Sequence, residues 1–216
     1  MTAGHDHQGL GPRFEDALVF AARLHAADVR KGTRIPYVAH VLGVCELVLL
    51  DGGGEDEAVA ALLHDALEDH PALAPPEVIA GRFGTKVLEI VRECSDTDDD
   101  HAGGPKAPWE RRKQDYLDHI AQASSAARRV SLADKLDNAR AILNDYRRVG
   151  DRLWERFRRG KDDQLWYYGQ LVRRFKDAGE SGFLFDELSR TVAELERLVA
   201  AADGGLLARG TGQERD

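Results

Sequence analysis

The sequence predicts an all-α protein. Apolar residues recur at helical spacing through almost every segment, runs of β-branched residues with a period of two are absent, and Gly and Pro punctuate the pattern.

Residues 1–12 are Gly-rich and polar and read as a flexible arm, with His5 and His7 exposed and idle. Phe14 to Ala27 gathers Ala17, Leu18, Ala21 and Leu24 on one helical face. Gly32 and Pro36 then mark a turn, RKGTRIPY. Val41 to Leu50 is a strongly apolar helix closed by DGGG, and Glu55 to Glu68 reads as one continuous buried helix. Pro71 to Pro76 end it, and Pro76 suits the first residue of a short helix, PEVIAGRF. Gly84 separates this from a further helix, TKVLEIVREC. Residues 95–108 form an Asp-rich polar loop that reads as solvated, although its run from Asp96 to Asp100 could hold a cation. Helices then cover about Trp109 to Ala123, Ala126 to Tyr146, Lys161 to Asp177 and Phe183 to Ala201. Trp154, Trp166, Tyr167 and Tyr168 read as packing residues. Residues 203–216 read as a flexible tail.

At 216 residues the chain suits one domain, or a domain with an appendage. Its composition, 43% hydrophobic and 31% charged, is that of a globular protein. A formal net charge of −8 argues against a broad basic surface for nucleic acid, but a local cluster of cations or a metal could still hold phosphate. Cys45 and Cys94 have no CxxC partner and read as free thiols. No apolar run reaches the ~18 residues of a membrane span, and the N-terminus lacks the order of a signal peptide, so no membrane partner and a cytoplasmic location are expected. The oligomeric state is left open.

Chemistry concentrates in AALLHDALEDH, residues 60–70. On a helix advancing about 100° per residue, His64, Asp65, Glu68 and Asp69 share one side while Ala60, Leu63 and Leu67 form the other. Charged groups on a buried helix are costly unless paired or ligated, and a metal would satisfy them. A solvated acidic face is the alternative. In VSLADKLDNARAIL, residues 130–143, Leu132, Leu136, Ala139 and Leu143 make an apolar stripe, with Asp134 and Asn138 opposite and Asp137 beside them. Asp134 is a candidate distant ligand, or simply half of a surface pair. In RKGTRIPYVAH, His40 directly precedes an apolar helix, and Arg30 and Lys31 flank a glycine turn suited to phosphate. Two imidazoles and two carboxylates suit a transition-metal ion better than Ca²⁺, and such an ion lowers the pKa of a bound water.

Four blocks in order, RKGTRIPYVAH, ALLHDALEDH, GRFGTKVLEIVREC and VSLADKLDNAR, carry a resemblance that runs from about Phe14 to Leu143. The sequence resembles the HD-hydrolase domain of RelA/SpoT proteins and their free-standing relatives, the small alarmone hydrolases, the metazoan SpoT homologue among them. The resemblance implies a compact HD-domain bundle of about ten helices. It implies one hydrolase domain over 13–202, with its metal-site core in 14–146 and closing helices in 150–202. It implies His40, His64, Asp65 and Asp134 as ligands of one Mn²⁺, with Glu68 and Asp69 assisting the attacking water. Arg30, Lys31, Lys135 and Asn138 become the substrate contacts, and Lys106, Arg111 or Lys113 further candidates for the polyphosphate. The implied reaction removes the 3′-pyrophosphate from (p)ppGpp, leaving GDP or GTP. Another nucleotide, pppApp or NADPH, and a nucleotide-sensing module without turnover are the alternatives. The chain departs from the family pattern in a turn one residue longer, in Val41 where Pro often follows the ligand His, and in Asp137 where relatives often carry His. These departures bear on substrate preference and leave the metal set intact.

Overall fold

A computed structural model describes residues 9–95 and 107–210. The expectations for His5, His7, the acidic run at 96–100 and Lys106 lie outside the described residues, as does the question of whether the 95–108 loop closes over substrate. Ten α-helices and one 3₁₀ element make up the described chain: α1 Pro12–Leu24, α2 Val38–Leu50, α3 Glu55–Leu63, α4 Ala66–Asp69, α5 Pro76–Phe83, α6 Thr85–Cys94, α7 Trp109–His119, α8 Ser125–Val149, a 3₁₀ turn Gly150–Arg156, α9 Lys161–Asp177 and α10 Phe183–Gly210. No strand occurs among the described residues, and the single β-bridge, Val29 to Pro36, closes the turn between α1 and α2.

Local signals set these boundaries. Pro12 and Pro76 sit at helix starts, where the missing N–H costs nothing. Gly84 joins α5 to α6 at φ +100°, a conformation that other residues rarely adopt. The Ser124 hydroxyl accepts from Ala127 N–H at 3.2 Å and caps α8. α2, α3 and α8 pack against one another, α6 covers α3 and α8, and α10 runs along α8 and α9. Ala58 to Leu63 of α3 are all buried, so this helix crosses the core.

The structure departs from the sequence reading in four places. The expected helix Glu55 to Glu68 is two helices, broken at His64 and Asp65. The cause is local: His64 Nδ1 lies 2.8 Å from the Ala61 carbonyl, the group that Asp65 N–H would bond in an unbroken helix. His40 does not precede α2 but lies within its first turn. Trp166 is 41% exposed and packs only at the surface, its ring 6.2 Å from that of Trp109, whereas Trp154, Tyr167 and Tyr168 are buried. Finally, α10 continues to Gly210, so residues 203–210 of the expected tail are helical.

No helix among the described residues is long and apolar enough to cross a membrane. Cys45 and Cys94 are free thiols, the first buried and the second half-buried.

Candidate metal centre and adjoining cavity

Three elements bring the predicted ligands together. α2 supplies His40, the break between α3 and α4 supplies His64 and Asp65, and the middle of α8 supplies Asp134. His40 Nε2 lies 3.3 Å from Asp134 Oδ1 and 3.8 Å from Asp65 Oδ2. His64 Nε2 lies 3.0 Å from Asp65 Oδ2 and 3.7 Å from Asp134 Oδ1. Both imidazoles and Asp134 are buried.

The outer hydrogen bonds fix how the imidazoles present themselves. His40 Nδ1 lies 2.7 Å from Asp137 Oδ2, and His64 Nδ1 lies 2.8 Å from the Ala61 carbonyl. A carboxylate and a carbonyl only accept, so each Nδ1 carries a proton and each Nε2 faces inward as the nitrogen a metal would take; against burial, the carboxylates around them push both imidazoles up. Outer partners of this kind hold metal-binding histidines in place. His64 Nε2 is buried and makes no hydrogen bond, although the Asp65 oxygen is only 3.0 Å away. An orphaned nitrogen facing two carboxylates is poor hydrogen bonding and suitable metal ligation. The four side chains therefore fit a divalent ion.

The charges around this set are arranged to keep it ionised. Burial alone would raise Asp134, but the Lys135 charge, then the two facing imidazoles, outweigh it and hold the carboxyl well below its usual range. Lys135 Nζ lies 2.6 Å from Asp134 Oδ2, and Asn138 Nδ2 donates to Oδ1 at 2.5 Å. Tyr37 donates its hydroxyl to Asp65 Oδ2. Burial and then the Asp65 charge push that hydroxyl up, so Tyr37 remains a donor.

The Glu68 and Asp69 pair lies on α4, one turn beyond the break. Ser95 at the end of α6 donates to Glu68 Oε1 at 2.7 Å and orients that carboxylate. Asp69 is exposed, and its charge reaches the Tyr37 hydroxyl.

A cavity of about 300 Å³ adjoins the ligand set through Tyr37, Lys135 and Asn138. Five cations line it, Arg30, Lys31, Lys113, Lys135 and Arg156, against the one carboxylate of Asp145. On a protein of net charge −8, such a concentration marks a site for a polyanion. Trp109, Phe157, Tyr167 and Tyr168 supply aromatic walls. All four predicted substrate contacts line the cavity. Of the further candidates, Lys113 lines it, whereas Arg111 is 76% exposed and pairs with Asp115.

Asp137 gains a role that the sequence did not reveal. It accepts from His40 Nδ1 and also from Arg30 Nη1 at 2.6 Å, while Arg30 Nη2 donates to Asn138 Oδ1 at 2.9 Å. One carboxylate thus joins a candidate metal ligand to a cavity-lining guanidinium. Tyr37 was equally hidden, since only the folded turn aims its hydroxyl at Asp65. Phe157 and Gln164, far along the chain, line the same cavity and carry no motif.

Close packing supports Asp137. A Cβ on Gly43 would meet Asp137 Oδ1 at 2.7 Å, a contact that forces the carboxylate to move. Gly43→Ala should otherwise favour helix α2 by up to about 1 kcal/mol. We expect instead a metal affinity weakened by about tenfold, as for a displaced outer partner, read by equilibrium dialysis. Unchanged affinity would mean that Asp137 adapts without disturbing His40.

An all-helical bundle with two imidazoles and two carboxylates converging at a helix break defines a class: helical hydrolases that work with a divalent ion. This chain belongs to the HD domain family, whose profile matches residues 17–161. It is 38% identical over 130 residues to the guanosine-3′,5′-bis(diphosphate) 3′-pyrophosphohydrolase MESH1 of Xenopus tropicalis, covering 59% of this chain and 68% of that protein. The MESH1 of Drosophila melanogaster is 35% identical over 133 residues, covering 60% and 69%. A solved structure described as a metazoan orthologue of SpoT that hydrolyses ppGpp matches with a TM-score of 0.69 and 25% identity, over 91% of this chain and 99% of that one.

Proposed function

We propose that this protein hydrolyses (p)ppGpp to GDP or GTP and pyrophosphate. The observation that carries this reading is a set of four metal-competent side chains next to a cation-lined, aromatic-walled cavity, with Tyr37, Lys135 and Asn138 between the two. The names of the MESH1 relatives and of the structural match support the substrate.

His40, His64, Asp65 and Asp134 would hold the ion; two nitrogens and two oxygens suit a transition metal, and we take it to be Mn²⁺ on the resemblance to the alarmone hydrolases. When bound, such an ion supplies Lewis acidity at the phosphoryl group and its attacking water. The chain's own groups do the rest. Arg30, Lys31 and Lys113 hold the phosphates, and Lys135 offsets developing charge beside Asp134. Asn138 holds the sugar, and the aromatic walls receive the base. Glu68, held by Ser95, accepts the proton of the attacking water, and Asp69 assists. Water oxygen bonds to the 3′ phosphorus, the bond from that phosphorus to the 3′ oxygen breaks, and the proton taken from the water passes to that oxygen, leaving pyrophosphate and the 3′ hydroxyl of GDP or GTP. Glu68→Gln should retain the metal and lose turnover by about 10²- to 10⁴-fold, the range for a general base. Wild-type turnover in this variant would remove Glu68 from that role.

We also propose that residues 13–202 act as one hydrolase unit. The closing helices of 150–202 supply Phe157, Gln164 and Tyr167 to the cavity that Arg30 and Asn138 line from the core. The two free thiols suit a reducing cytoplasm, where we place the protein.

The test uses metal-stripped protein reloaded with Mn²⁺ and incubated with ppGpp, pppGpp, pppApp or NADPH, with products separated by anion exchange. GDP with pyrophosphate from ppGpp is the expected result. Phosphate from NADPH, or pyrophosphate from pppApp, without release from ppGpp would overturn the substrate.

A further inference from the structure

A second group of metal-capable side chains lies outside the four-ligand set. His25 follows α1, Asp28 opens the turn that leads to α2, and His70 follows α4. One imidazole nitrogen from each histidine and a carboxylate oxygen of Asp28 all lie within 4.8 Å of one another. His25 Nδ1 is 2.8 Å from Asp28 Oδ2, and His70 Nε2 is 2.7 Å from the same oxygen. The His25 side chain is fully buried, His70 is 19% exposed and Asp28 is 35% exposed.

Three features favour a cation here. Asp28 has only the two imidazoles as ion-pair partners among the described residues, with no Lys or Arg on it. Burial lowers the His25 pKa despite the Asp28 hydrogen bond, so that ring offers little charge to offset the carboxylate. Among the described residues His25 Nε2 is also buried without a partner, so the Asp28 contact is the one hydrogen bond of this ring that a metal would replace. Ligands at about 2.0–2.1 Å from a tetrahedral Zn²⁺ stand about 3.3 Å apart. The two exposed members need only open by about 0.5 Å to reach that spacing, and their exposure leaves the fourth position to water.

We propose that His25, Asp28 and His70 form a second divalent-cation site of the Zn²⁺ type, distinct from the four-ligand set. The Tyr37 ring, 4.9 Å from His25, stands beside the site while its hydroxyl reaches Asp65, so the two sets stay apart. The site pins the end of α4, next to Asp69, to the turn that carries Arg30, Lys31 and Tyr37. An ion here is a structural staple between the catalytic pair and the phosphate-holding turn.

The experiment titrates metal-stripped full-length protein with Co²⁺, following ligand-field absorbance and counting bound ion by equilibrium dialysis. Wild type should bind two equivalents, His70→Ala and Asp28→Asn one each, Asp65→Ala one, and Asp65→Ala with His70→Ala none. Asp28→Asn keeps the side-chain shape at an exposed position, so it guards against a folding defect in His70→Ala. A single wild-type equivalent that Asp65→Ala removes overturns the proposal, as do two equivalents that survive in both His70→Ala and Asp28→Asn. A single equivalent removed by Asp28→Asn and kept by Asp65→Ala supports it, and places the failure with the four-ligand set instead.

Discussion

Asp65→Ala should bind one fewer divalent ion per chain than wild type and lose hydrolysis of ppGpp by about 10³-fold or more, the scale of removing a principal source of transition-state charge stabilisation. The size follows from the position of the residue. Asp65 Oδ2 lies 3.0 Å from His64 Nε2, 3.8 Å from His40 Nε2, and accepts the Tyr37 hydroxyl. Without it, His64 Nε2 keeps only the more distant Asp134, and the buried Tyr37 hydroxyl loses its acceptor. The fold itself should survive, because Leu62, Leu63 and Ala66 anchor both sides of the break in the core. Metal content by elemental analysis and product release by anion exchange check both halves. Full metal content, or activity within tenfold of wild type, would contradict the assignment of Asp65 as a ligand.

The helices were legible because apolar spacing is a backbone-period signal, and almost every segment of this chain carries it. The four side chains that converge were legible as candidates because their residue types are few and their order along the chain is specific. The break at His64 was not, because its cause is a side chain competing for one carbonyl, and periodicity cannot register that. Read as one helix, the HDALED segment puts all four polar groups on a single side. Folded, it divides them: His64 and Asp65 turn toward His40 and Asp134, while Glu68 lies on a separate turn against Ser95. The cavity was only half legible. Arg30, Lys31 and Asn138 sit in recognisable blocks, but Phe157, Gln164 and Tyr167 reach the cavity only through the packing of α9 and the preceding 3₁₀ turn. No local pattern encodes a wall assembled from segments more than a hundred residues apart. Tyr167 reads from sequence as ordinary packing, and burial makes that half right.

Asp137→Ala should produce the second large effect, and it should split in two. Asp137 accepts from His40 Nδ1 at 2.7 Å and from Arg30 Nη1 at 2.6 Å. Burial alone would raise this carboxyl, but the His40 hydrogen bond and charge, then Arg30, outweigh it and keep it ionised. Truncation removes the acceptor that fixes the His40 tautomer, so metal affinity should fall by about 10- to 100-fold. It also frees Arg30 to its single remaining bond with Asn138, which should raise KM for ppGpp. Saturating metal separates the two effects: kcat should recover while the rise in KM persists. Asp137→Asn should recover much of the metal affinity, since its amide oxygen can still accept from His40, but less of KM, since its neutral amide holds Arg30 weakly. A loss of kcat that added metal does not restore would place Asp137 closer to the reacting atoms than the structure does. Recovery of both constants together would mean that Arg30 keeps its position without the carboxylate. The coupling matters because a neutral side chain at this position would offer Arg30 no charge. With Asp137, the side chain that steadies the proposed ligand His40 is also the one that sets the reach of the Arg30 guanidinium at the cavity.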